Sequence, residues 1–132
     1  MYFDYAITVP AGTALTDPLI TRLELTYGII TDLDIAFPPG CAALVHVAIY
    51  RFNHQLWPSN PEASFAWDNF TIRITGESYP LTTPPFHLAA HTWSLDNAFD
   101  HTITLRVGIH PPEPHRAGTW IKRLFNPQGG RF

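Results

Sequence analysis

Apolar and polar residues alternate with period two along most of this chain, and each alternating stretch predicts a β-strand half-covered by a core. Phe3, Tyr5, Ile7 and Val9 line one side of a first strand. Leu19 to Tyr27 predicts a second, with Leu23, Leu25 and Tyr27 inward and Arg22, Glu24 and Thr26 outward. Gly28 interrupts the pattern as a bulge or turn residue. Ile29 to Phe37 then places Thr31, Leu33, Ile35 and Phe37 on one face and Ile30, Asp32, Asp34 and Ala36 on the other. Ala42 to Phe52 is a near-unbroken apolar run after Pro38-Pro39-Gly40, as expected of a central strand covered on both faces. Phe70 to Thr75 (Phe70, Ile72 and Ile74 inward), Phe86 to Ser94 and Asp100 to Ile109 complete the clear strands. A short segment between Gly76 and Pro85 is held to a sheet edge by its prolines.

Seven to eight strands at regular spacing predict an all-β, single-domain antiparallel β-sandwich over residues 1–111. A jelly-roll-like topology is preferred to an immunoglobulin-like one. Asn53 to Asn69 lacks periodicity but carries Leu56, Trp57, Phe65 and Trp67, so it is expected to pack down as a lid or to face a partner. Residues 112–132 form a C-terminal extension. Within it Trp120, Ile121, Leu124 and Phe125 fall at helical spacing opposite Lys122 and Arg123, which suggests a short amphipathic helix.

Composition narrows the function classes. The 132 residues are only 14% charged, against about 25% in ordinary globular chains. With 13 Pro and 8 Gly this suits short strands and turns, and a surface partly covered by neighbours. Residues 1–109 hold ten acids and four arginines (−6), and residues 110–132 one acid and four bases (+3), which gives the net −3 of the chain. A single lysine argues against a phosphate-tracking surface, so no nucleic-acid partner is expected. No apolar run approaches the length of a membrane span, and the start of the chain does not resemble a signal peptide, so synthesis in a cytosol without export is expected. The lone Cys41 can form no internal disulfide and is read as structural.

Catalytic signatures are missing: there is no Gly-x-Ser-x-Gly, no phosphate loop and no His-x-His. Among seven histidines, His87 and His91 share a strand face but sit too far apart to chelate one ion unless His46 joins from a neighbouring strand. Asp32 with Asp34, and the group Asp96, Asn97, Asp100 and His101, are carboxylate-bearing alternatives that a solvated strand and an ordinary turn explain equally well. No cofactor or metal is therefore expected, and no enzymatic activity. Trp57, Trp67 and Trp93, with Phe65, are read first as core or interface residues; a sugar-stacking platform is the rival reading.

His54-Gln-Leu-Trp-Pro-Ser-Asn-Pro61, Phe65-Ala-Trp-Asp68, Trp93-Ser-Leu-Asp-Asn97 and His101-Thr-Ile-Thr-Leu-Arg-Val-Gly-Ile109, with the upstream Phe37-Pro-Pro-Gly-Cys-Ala-Ala-Leu-Val-His46, resemble a pattern in small proteins of tailed bacteriophages and related elements. The resemblance spans roughly residues 5–111. It implies a virion structural protein, a decoration or auxiliary head or tail component that acts by assembly with itself and with a shell or tail protein. Trp57, Phe65, Trp67, Trp120, Ile121, Leu124 and Phe125 would then supply the interface. The alternative is a glycan-binding β-sandwich module that uses exposed Trp57, Trp67 and Trp93.

Overall fold

The structure, a computed structural model, describes residues 1–112. Nine strands and no helix occur among them: β1 (Tyr2–Val9), β2 (Leu19–Glu24), β3 (Gly28–Phe37), β4 (Val45–Arg51), β5 (His54–Trp57), β6 (Phe70–Ile74), β7 (Tyr79–Leu81), β8 (His87–Ser94) and β9 (His101–His110). Every pairing is antiparallel. Sheet A runs β1-β9-β3-β6, and β7 joins β3 beside β6; sheet B runs β2-β8-β4-β5. The chain passes from one sheet to the other at most connections, staying in place only at β4–β5 and β6–β7. The result is a jelly-roll-like β-sandwich.

Alternation builds the core as expected. β9 turns Ile103, Leu105, Val107 and Ile109 inward from sheet A, and β4 turns Val45, Val47 and Ile49 inward from sheet B; all are essentially inaccessible to solvent. Ile7, Val9, Leu33, Ile35 and Phe37 join them from sheet A, and Leu23, Leu88 and Ala90 from sheet B. Each fully buried Leu or Ile contributes about 1.5–3 kcal/mol of transfer free energy. Thr92 and Ser94 are buried polar exceptions, and both are satisfied. Thr92 Oγ1 donates to the Leu19 carbonyl at 3.3 Å, and Ser94 Oγ accepts from Asp96 N at 3.1 Å.

Several expectations need correction. The central strand begins at Val45 rather than Ala42, because Ala42 and Ala43 take left-handed φ values of 51° and 58° in the preceding turn. In β3 the register against β9 shifts between Ile30 and Asp32, a bulge that turns Ile30 inward three residues before Leu33. Gly28 is not that bulge. It opens β3 where a Cβ would lie 2.8 Å from the His110 carbonyl oxygen and against Ile109 Cγ2, so only glycine allows β3 and β9 to approach there. Tyr27 and Phe70, expected inward, are both exposed: they lie where strands end and the facing sheet no longer covers them. The non-periodic segment also contains a strand, since β5 pairs with β4 across a tight turn at Phe52 and Asn53.

Candidate functional site

The outer face of β4 and β8 is unusual for a solvated strand face. Inward Val45, Val47 and Ile49 leave His46, Ala48 and Tyr50 outward, and inward Leu88, Ala90 and Thr92 leave His87, Ala89, His91 and Trp93 outward. The register sets His46 opposite Trp93 and Ala48 opposite His91. The His46 and Trp93 rings stack with planes 4° apart and centroids 5.5 Å apart. Tyr50 and His91, diagonal neighbours, stack at 4.0 Å. Ala48, although outward, is completely buried among these rings. Flat π-surfaces therefore occupy positions where charged side chains would normally face water.

The loop after β5 raises one wall over this floor. Phe65 exchanges two backbone hydrogen bonds with Val47 on the free edge of β4, with N···O distances of 2.9 and 3.0 Å. Ser64 Oγ lies 2.9 Å from His46 Nδ1. Gln55 Nε2 donates to the carbonyls of Pro58, Asn60 and Ala63 at 2.8–3.1 Å, and its Oε1 accepts from the Tyr50 hydroxyl at 3.1 Å. Both N–H donors of its amide are taken up by the loop, so Gln55 shapes the wall rather than serving as a free donor. Leu15 and Pro18 also line the groove. The groove encloses about 310 Å³ and is completed by Tyr50, Glu62, His91 and Trp93. No lysine or arginine lines it. Burial lowers the pKa of both His46 and His91, so both imidazoles are held neutral near pH 7.

Only some of the expected interface residues reach an accessible surface. Trp57 does not: it is 5% exposed, packs edge-on against Tyr79 and donates its indole N–H to Glu77 Oε1 at 2.9 Å. It belongs to the core and cannot serve as an exposed glycan or subunit anchor. Phe65 is half-buried against the core. Trp67 is 55% exposed, beside the equally exposed Phe70. Trp93 lies in the groove, far in sequence from the other two. The three tryptophans named as one platform therefore do not form one. Trp120, Ile121, Leu124 and Phe125 lie outside the described residues.

The other candidate chemistry resolves into pairs. Asp96 Oδ2 lies 2.7 Å from His101 Nε2, and its Oδ1 accepts from Ala98 N and Phe99 N; the bond to His101, then those to the backbone, lower its carboxyl pKa. Asp34 lies 3.9 Å from Arg106, which also reaches Asp4. Cys41 is buried, and burial followed by the nearby Asp68 carboxylate raises its pKa, which keeps it a thiol. Among the described residues no three His, Cys, Asp or Glu side chains come together as a metal site, and no helix is long and apolar enough to cross a membrane.

Tyr50, Gln55, Glu62 and His91 were missed as groove residues. A signal for two of them was present: the outward positions of two strands read His-x-Ala-x-Tyr and His-x-Ala-x-His-x-Trp, rings and alanines rather than charges. No known family profile matches the chain, and neither does any curated protein. Similar solved structures include a chain described as "CBM4 structure and function". It is 15% identical over 84% of this chain and 94% of that one, with a TM-score of 0.40. A likeness this distant carries no weight for the ligand.

Proposed function

We propose that this protein is a non-enzymatic binding module whose sheet-B groove takes a neutral glycan. The carrying observation is the cluster of rings in the groove, Trp93 braced by His46 behind it and Tyr50 stacked on His91, beside a single carboxylate, Glu62. A pyranose has an apolar C–H face and a polar hydroxyl rim. Aromatic rings match the face through dispersion and burial, and Glu62 and the neutral His91 imidazole can hydrogen-bond the rim. With no cation among the lining residues, an acidic sugar would leave its charge uncompensated on desolvation. Glycoside hydrolysis by the usual mechanism needs two carboxylates flanking the bond, and Glu62 stands alone in the lining.

The test is a titration of the full chain with a panel of neutral oligosaccharides, followed by heteronuclear NMR. Shifts concentrated on Tyr50, His91 and Trp93 support the reading. Trp93→Ala should then weaken binding by about tenfold or more, as expected for a central aromatic anchor. A panel that leaves these resonances unmoved rejects it.

Assembly is the second reading, favoured by exposed Trp67 and Phe70, whose rings lie 6.1 Å apart on one corner. Under it the protein is a virion decoration or auxiliary component that docks on its own copies and on a shell or tail protein. Quantitative mass spectrometry of purified particles tests this: a fixed ratio to the major shell protein supports it, and absence from particles removes it.

A further inference from the structure

A second groove, of about 430 Å³, lies on the outer face of sheet A, across the sandwich from the first. Its floor is set by register: Ala36 of β3 pairs with Thr71 of β6 on one side and Thr104 of β9 on the other. Thr102 extends this floor, with its hydroxyl 2.9 Å from that of Thr8. Asn69, Phe70 and Pro38 contribute to the wall. We infer that this groove is a second, independent binding site for a neutral, polyhydroxylated chain, so that the module is bivalent.

Three observations lead there. The lining holds no charged residue; beyond it on this face Arg106 lies 3.8 Å from Asp4 and 3.9 Å from Asp34, and the exposed Arg73 sits opposite Asp34 in register. The polar groups it offers are hydroxyls and a carboxamide. Those of Thr71, Thr104 and Asn69 take no protein partner among the described residues, which leaves them free to exchange hydrogen bonds with a hydroxylated ligand. The wall is also held rigid at some cost. Asn69, Ala42 and Ala43 all sit at left-handed φ between 50° and 58°, unfavourable above all for the two alanines. Asp68 Oδ1 fastens the corner by accepting from Gly40 N and Ala42 N, both at 2.9 Å. A corner strained and clamped in this way presents Phe70 beside a hydroxyl floor before any ligand arrives, which lowers the entropy cost of binding.

Bivalency rests on the proposed sheet-B site, whereas binding in this groove does not, and the experiment separates the two. The full chain and its Trp93→Ala variant are titrated with the same neutral oligosaccharide panel and followed by amide and side-chain NMR. The expected result is a set of shifts at Asn69, Thr71, Thr102 and Thr104 that persists in Trp93→Ala. Thr104→Arg, which fills the floor with a long cation, should weaken this binding by about tenfold. Phe70→Ser, at an exposed position, repeats the test should the arginine disturb folding. Three outcomes overturn the inference: no shifts at these threonines with any sugar, shifts that Trp93→Ala also abolishes, or concentration-dependent broadening of Trp67 and Phe70 without sugar. The last would make the corner a protein contact.

Discussion

Trp57 and Trp67 are ten residues apart in one segment, yet one is core and the other surface, so they should respond oppositely to the same substitution. Trp57 fills space between β5 and β7 and gives its N–H to Glu77, so Trp57→Ala opens a cavity and leaves that carboxylate without its donor. We expect a loss of about 3–5 kcal/mol in denaturant unfolding. Trp67→Ala removes an exposed ring and should change stability by no more than about 0.5 kcal/mol. Equal losses would mean that the burial difference has been misjudged. Tyr5 shows the same dependence on surroundings. Its hydroxyl donates to the Glu24 carbonyl across the gap between the sheets, and burial, followed by the charge of Glu24, pushes its pKa up to about 12.

At the scale of elements, the connections are held by side chains as much as by turns. The β8–β9 connection is organised by Asp96, which caps Ala98 N and Phe99 N and meets His101, while its own carbonyl accepts from Gly12 N at 2.8 Å. Asp100 Oδ1 adds a bond from Ala11 N at 2.8 Å. Two loops that each cross between the sheets are thereby joined at one end of the sandwich. The lowered pKa of Asp96 means that the folded state binds the proton less readily than the unfolded one. Its stabilisation is complete above the ordinary carboxyl value of 3.8 and is lost as pH falls through the lowered folded value. Urea midpoints measured through this acid range should therefore fall less steeply for Asp96→Asn than for the wild-type chain. Parallel curves would remove Asp96 from the account. The hairpin between β4 and β5 follows the same logic: it turns at Phe52 with φ 55° and no glycine, and Arg51 is tied to the Thr83 carbonyl at 2.7 Å.

For the molecule as a whole, two covered sheets leave two outer faces of different chemistry, one lined with rings and one with threonines and charges of both signs. The ring-lined face makes folding pH-dependent in a second window. Burial lowers the pKa of both His46 and His91, so the folded state favours neutral imidazoles. Their contribution is complete above the unfolded value of 6.5 and declines as pH falls below it, towards the lowered folded values. A His46→Gln, His91→Gln double variant should lose this slope in the interval below about pH 6.5 while keeping the separate carboxylate limb at lower pH. A wild-type stability that is flat across that interval would show that the groove histidines are not desolvated.

Alternation was enough to establish the all-β sandwich, the inward residues of β9 and the edge position of the proline-bearing β7, because a period of two leaves one choice of face once a core exists. It failed where phase or partner changes along a strand. The bulge in β3 moved Ile30 inward, and the short β5 was hidden because its four residues carry too little periodicity to show against a loop. The grooves lay further out of reach. Tyr50 and His91 are forty-one positions apart and meet only through the β4–β8 register. Gln55 gains its role from three carbonyls of a loop that folds back over it. The sequence by itself determined which residues of the regularly alternating strands face the core, because burial there follows local pattern. Which outer residues lie side by side was decided only by strand order and register, which long-range packing selects.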